Sequence, residues 1–164
     1  MPKKKPTRAK KLSPIPEDFP TISAHLTVAD MRKAMEFYQL AFGFELHGEP
    51  MKMGKVIVHA VLRHGSSVIM LGGPTPDGTH VSPNMLGLDK QAFGLFVYVK
   101  DVDAHYKHVK RFKGIRLTPP SDMFWGDRTY DVVDRDGHHW GFGSRKAAPT
   151  PEQMAAALQA MMGG

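Results

Sequence analysis

The sequence contains no cysteine. Disulfides, thiolate metal sites and a cysteine nucleophile are therefore excluded. Long apolar runs are missing as well, and none approaches the ~18 residues that suggest a membrane span. The basic N-terminus is not followed by an apolar segment, so the expectation is a cytoplasmic protein with neither a secretory signal nor a membrane partner. Acidic residues are absent where basic ones are densest. Lys3, Lys4, Lys5, Arg8, Lys10 and Lys11 stand together without an acid among them. They account for the whole net charge of +6, because the remaining 16 basic residues are matched by 16 acidic ones. A nucleic-acid-binding fold carries its basic footprint on the folded body. Nucleic acid is accordingly no expected partner, beyond a weak contact through residues 3–11.

What is present suits one globular unit: 164 residues, 41% hydrophobic and 23% charged. Residues 1–20 hold the basic cluster together with Pro2, Pro6, Pro14, Pro16 and Pro20. Such a segment buries too little apolar surface to offset its ordering entropy, and it is predicted to be a disordered tail. The pattern changes at Thr21. Ile22, Ala24, Leu26 and Val28 alternate with Ser23, His25 and Thr27, which is the period of a half-buried strand. Asp30 then stands where a helix N-cap belongs, Met31, Ala34, Met35, Tyr38, Ala41 and Phe42 follow at helical spacing, and Gly43 closes the helix. Strands are predicted near 44–47, at 55–63 and at 67–71. On the strand at 55–63, Val56, Val58, Ala60 and Leu62 form the face expected to pack on the helix.

The unit recurs. VADMRKAMEFYQLAFGFEL at 28–46 aligns with VKDVDAHYKHVKRFKGIRL at 99–117, so that Val28 matches Val99, Asp30 matches Asp101, Gly43 matches Gly114 and Leu46 matches Leu117. The second helix has its own apolar stripe at Val102, Tyr106, Val109 and Phe112, and strands are predicted at 129–133 and 139–143. Two such units, neither able to bury its sheet face alone, imply a packed pair. The predicted organisation is a tail (1–20), a body (21–145) made of module 1 (21–73), a Gly- and Pro-rich linker (74–93) and module 2 (94–145), and a terminal helical segment (146–164). In that last segment Thr150, Pro151 and Gln153 form a capping box, and Met154, Leu158, Met161 and Met162 form a stripe expected to dock on the body or, in the sharper reading, to meet a second copy.

Four segments carry a resemblance: HLTVADMRKAMEFYQLAFGFEL at 25–46, HAVLRHGSSVIML at 59–71, FVYVKDVDAHY at 96–106 and FWGDRTYDVVDRDGHHWGF at 124–142. They resemble the vicinal oxygen chelate superfamily of glyoxalase I, bleomycin-resistance proteins and extradiol dioxygenases, and in particular its glyoxalase-like subgroup labelled demethylubiquinone-methyltransferase-like. The resemblance implies an α+β fold: two tandem βαβββ modules forming a curved, incomplete-barrel mixed sheet around a pocket, with helices on the outer face. It also implies a homodimer. Metal-dependent members take ligands from the first and last strands of each module, positions that fall here on His25, Met70, Phe96 and Gly141. Only His25 can serve a hard divalent cation, and a thioether is a poor partner for one. The expectation is therefore no cofactor and no metal, with His25 as the anchor if a divalent metal does bind.

Alternation places Ser23, His25, Thr27, His59 and Val61 on the pocket face of module 1, and Phe96, Tyr98, Thr129, Asp131, His139 and Gly141 on that of module 2, with Trp125 on the loop leading in. The ligand-binding candidates are His25, Thr27, His59, Phe96, Tyr98, Trp125, Asp131 and His139. The catalytic candidates are His59, His25 and Asp131, since a histidine beside a carboxylate can act as a general base. His25 and His59 lie two strands apart, about 10 Å at ~4.8 Å per strand, which is too far to share one ion. Asp127 and Arg128 are expected to pair and hold their loop. Missing metal ligands and an aromatic face favour a metal-independent binder of a small aromatic or cationic molecule. The alternative is a lyase, an isomerase or a metal-dependent glyoxalase-type enzyme acting on a small oxygenated substrate. A third possibility uses the basic tail for interaction and the fold as scaffold.

Overall fold

The computed structural model describes residues 13–88, 90 and 92–162. Most of the tail expectation thus falls on residues 1–12, outside the described residues. Residues 13–20 form neither helix nor strand, yet they have partners. Arg63 Nη2 donates to the Asp18 carbonyl (2.6 Å), and the Asp18 carboxylate meets His47 Nε2 (3.1 Å).

Module 1 comprises β1 (Ala24–Thr27), α1 (Met31–Phe42), β2 (Glu45–Leu46), β3 (Met51–Met53), β4 (Val56–His64) and β5 (Ser67–Gly72). Module 2 repeats it with β6 (Leu95–Tyr98), α2 (Val102–Val109), β7 (Arg116–Leu117), β8 (Ser121–Asp122), β9 (Asp127–Val133) and β10 (His139–Arg145); α3 (Pro151–Met162) follows. Each module has one short strand more than the sequence pattern suggested, because both β2 and β3 pair with the long β4, and both β7 and β8 with β9. The fold is α+β, with two mixed five-stranded sheets of order β1-β5-β4-β2 and β6-β10-β9-β7 and, among the described residues, no closed barrel. The first strand of each module runs parallel to the last, and the other pairings are antiparallel.

The helix starts are set as the sequence predicts. Asp30 accepts from Lys33 N (3.1 Å) and Asp101 from Ala104 N (3.0 Å), each satisfying a backbone donor that a helix leaves unpaired. Gly43 ends α1 at φ 75°, a left-handed conformation that a side chain would disfavour. The second helix stops at Val109, so Phe112 packs against the core from the turn that follows. Val56 departs from its expected place: it is exposed at the start of β4, and Ile57 packs on the core instead.

One core serves both modules. Tyr38 and Phe42 of α1 pack at a tilt against Trp140 of β10, and Phe42 meets Phe142 (4.9 Å between centroids). The two helices touch each other, and among the described residues no strand of one sheet packs substantially on a strand of the other. The helix-bearing faces therefore turn inward toward the shared core, and the opposite face of each sheet is left open. The DRDGHH turn at 134–139 bolts the modules together. Asp134, buried, accepts from Tyr38 Oη (2.7 Å) and Trp140 Nε1 (2.8 Å). Asp136 accepts from Ala29 N (2.7 Å), and the His138 ring meets the Thr27 carbonyl (2.9 Å). This turn is thus structural.

The terminal helix has the predicted capping box: Thr150 N donates to Gln153 Oε1 (2.8 Å) and Gln153 N to Thr150 Oγ1 (3.3 Å). It does not dock on the body. None of its described residues is buried, because the core is already closed by α1, α2 and the two sheets.

Candidate functional site: two open sheet faces

The pocket-face residues sort onto the two open faces. On β4, Ala60 and Leu62 are buried against α1, which turns His59, Val61 and Arg63 the other way. His25 on β1 and His59 on β4 flank Gly72 of β5: Thr27 and His59 both pair with Gly72, and His25 pairs with Met70. A Cβ at position 72 would stand 2.9 Å from the His25 ring, so the ring leans over bare backbone. The separation expected from strand spacing collapses as a result. The two rings are stacked with centroids 6.0 Å apart, and His80, on the loop after β5, meets His25 edge-on at 6.2 Å. Burial lowers the His25 pKa below the usual 6.5, with His59 and His80 adding to the effect. Thr27 is buried, with only 7% of its surface exposed, and its carbonyl is taken by His138, so it offers a ligand little.

The second face is aromatic. Phe96 lies flat on two glycines of β10: a Cβ at Gly141 or at Gly143 would come within 2.6 or 2.7 Å of its ring. Tyr98 packs edge-on against Phe96 (5.1 Å). One oxygen of Asp127 accepts from both Tyr98 Oη (2.7 Å) and Trp125 Nε1 (3.2 Å). Asp127 is buried, whereas Phe96, Tyr98 and Trp125 are all exposed. The carboxylate raises the Tyr98 pKa by stabilising its protonated hydroxyl. The expected Asp127–Arg128 pair does not form, because adjacent strand residues point to opposite faces. Arg128 instead binds Asp103 (2.9 Å) and Asp122 (3.1 Å). Phe96 and Tyr98 also border a cleft of about 730 Å³ shared with Phe44, Ser67 and Ile69 of module 1.

Asp131 and His139 share a separate depression of about 550 Å³ with Phe93, Thr118 and Gly141. Among the described residues, His139 Nε2 is buried there without a hydrogen-bond partner. His59 and Asp131 are not brought together: they lie on different sheets, and the register makes Thr129, opposite Gly143, the counterpart of His59 opposite Gly72. Asp131 corresponds to Val61. Two residues of the faces were missed in the sequence. His80 falls in the Gly- and Pro-rich linker, which carries no site signal, and Asp127 was expected to pair with Arg128; only the tertiary contacts reveal their partners.

The match to known proteins agrees with this architecture. Residues 21–142 match the family model of the Glyoxalase/Bleomycin resistance protein/Dioxygenase superfamily, and the chain belongs to that family. It is 33% identical over 149 residues to the uncharacterized protein Mb0911c of Mycobacterium bovis, covering 88% of this chain and 96% of the other. The structure of TioX from Micromonospora sp. ML1 is similar with a TM-score of 0.59 and 25% identity, over 80% of this chain and all of that one. TnmS3, an antibiotic binding protein from Streptomyces sp. CB03234, matches in fold with a TM-score of 0.54 at 19% identity, over 77% of this chain and 97% of the other.

Members of the family that use a divalent metal place ligands at positions that fall on His25, Met70, Phe96 and Gly141. The register sets His25 beside Met70 and Phe96 beside Gly141. An imidazole, a thioether, a phenyl ring and a glycine do not make a site for a hard cation. These residues do not fit that metal.

Proposed function

We propose that this protein binds a small aromatic or cationic molecule on its open sheet faces without a metal at the family position, and that a homodimer forms the complete cleft. The observation that carries the reading is the buried Asp127 carboxylate joined to the exposed Tyr98 and Trp125, with Phe96 alongside. Exposed aromatic rings offer stacking and cation–π attraction, and a carboxylate behind them makes the site more favourable for positive charge. His25, His59, Asp131 and His139 supply polar walls. A second copy is called for because a single chain leaves both sheet faces open, with Met51, Met53, Val56, Phe96 and Tyr98 exposed and, among the described residues, the edges of β1 and β6 unpaired. That TnmS3 is an antibiotic binding protein lends support.

The test is a titration of intrinsic fluorescence with planar aromatic cations and with matched neutral and anionic analogues. Trp125 is exposed and reports, while Trp140 is buried. Saturable quenching by the cations is expected, weakened by about ten-fold in Phe96→Ala and Asp127→Asn, the scale of one lost contact of ~1–2 kcal/mol. Absence of saturation with every cation would sink the reading.

A second reading is a lyase or isomerase acting on a small oxygenated substrate. It is favoured by one observation, the His25–His59 pair, in which His25 is kept neutral and able to accept a proton. Under it, His59→Ala abolishes turnover of a hemithioacetal or related substrate; under the binding reading, His59→Ala only weakens ligand affinity.

A further inference from the structure

Arg63 is a half-buried cation on the open face of module 1, and among the described residues no carboxylate oxygen lies within ion-pair distance of it. A charge drawn partly out of water ordinarily has a counter-charge. Here the guanidinium is spent on neutral acceptors: Nη2 donates to the Asp18 carbonyl (2.6 Å) and Nε to His47 Nδ1 (3.4 Å). His47 is set beside it by its own backbone N–H, which binds the Val61 carbonyl of β4 (2.8 Å). With Nδ1 accepting from the arginine, His47 Nε2 carries the ring proton and donates to the Asp18 carboxylate (3.1 Å). That carboxylate is thus held by the imidazole and not by the arginine, and its side chain is 64% exposed.

We propose that Arg63 and His47 form a subsite for the carboxylate or phosphate group of a small organic ligand, and that Asp18 is its resident stand-in. An incoming oxyanion accepts from the guanidinium and the imidazole N–H together. Those charge-assisted bonds are stronger than the one Arg63 makes to a peptide carbonyl. Room for the rest of the ligand lies alongside, in a depression of about 670 Å³ lined by Ile15, Phe19, Ile22, Ser23 and Met70. Phe19 joins the two, because its ring meets His47 edge-on with centroids 5.5 Å apart. Among the described residues Ser23 Oγ is buried without a hydrogen-bond partner, so the depression also holds a polar group still to be met. An apolar wall beside a cation fits an aromatic acid or phosphate ester better than a bare inorganic ion. Binding displaces Asp18 and loosens residues 14–20 from the sheet. The inference does not rest on the binding reading above, which concerns the aromatic face of module 2.

Full-length isotope-labelled protein is titrated with benzoate, with phenyl phosphate and with the neutral benzamide, following the His47 ring and the Asp18 and Phe19 amides by NMR. Saturable shifts are expected with at least one of the two anions and none with benzamide; the tighter of the two tells carboxylate from phosphate. Asp18→Ala removes the internal competitor and should raise affinity about two- to five-fold, the scale of one exposed ion pair. Arg63→Gln should lower it by about ten-fold, while Arg116→Gln, exposed on β7, leaves it unchanged. Circular dichroism verifies the fold of Arg63→Gln, and Asp18→Ala, which alters an exposed residue outside helix and strand, tests the competition independently. The proposal is overturned if neither anion saturates the native chain or Asp18→Ala. It is overturned equally if Asp18→Ala weakens binding, or if benzamide binds as the anions do.

Discussion

The Tyr38 hydroxyl donates to the Asp134 carboxylate at 2.7 Å, joining α1 of the first module to the turn before β10 of the second across 96 residues of sequence. The same oxygen accepts from Trp140 Nε1. Burial and the Asp134 carboxylate drive the Tyr38 pKa well above its usual value, so the hydroxyl keeps its proton as donor. Removing the carboxylate leaves four donors without this acceptor: Tyr38 Oη, Trp140 Nε1 and the backbone N–H groups of Asp136 and His138. Asp134→Ala is expected to cost on the order of 2–4 kcal/mol in urea unfolding, and Tyr38→Phe less, since it takes away donor and partner bond together. A loss below about 1 kcal/mol for Asp134→Ala would mean that the turn does not hold the modules together.

The glycines under Phe96 govern the aromatic face. In Gly143→Val the new side chain occupies the place of the Phe96 ring, which must swing away from the sheet. Ligand-induced quenching of Trp125 should fall while the far-UV spectrum stays native. Gly65→Ala provides a contrast: nothing lies near its Cβ, and only its left-handed backbone is disturbed. If Gly143→Val binds as wild type does, Phe96 is not part of the binding face.

The pH dependence of stability should carry a signature of His105. Burial, with a contribution from His108, lowers its pKa from 6.5 to about 4, and Nδ1 meets the Tyr130 hydroxyl (2.8 Å). The unfolded chain therefore binds a proton between pH 6.5 and 4 that the folded chain refuses. This contribution is fully present above pH 6.5, declines as pH falls toward 4, and changes no further below. Denaturation midpoints measured from pH 7.5 to 4.5 should drop more steeply for the native chain than for His105→Phe. Parallel curves would show that His105 takes up its proton alike in the folded and unfolded chains.

Deleting residues 150–164 should leave the thermal midpoint of the body nearly unchanged, because α3 buries none of its described residues. Its exposed Met161 and Met162 then become informative in sedimentation. A homodimer that survives the deletion is built from the sheet faces, whereas one that dissociates uses the methionine-bearing helix.

Much of the fold was legible because it is written in local patterns. Period-two alternation marked β1, β4 and β6, Asp30 and Asp101 marked the helix starts, and the repeat of 28–46 at 99–117 paired the modules. The short β2, β3, β7 and β8 were less legible, since two or three residues carry too little periodicity and form only because β4 and β9 offer them an edge. The site was legible as a set of faces and illegible as contacts. Strand alternation tells which way His25 and His59 point, but not that Gly72 lets their rings approach to 6.0 Å.

By itself the sequence determined the element order, the module repeat, the caps and the family, all consequences of residue type and spacing along the chain. Tertiary structure alone decided which side chains share a partner. It gave Asp127 to Tyr98 and Trp125 rather than to Arg128, Asp134 to Tyr38 and Trp140, and His80 to His25. Those choices depend on strand register, on the depth of burial and on where a glycine leaves room, and none of the three is a property of neighbouring residues in sequence.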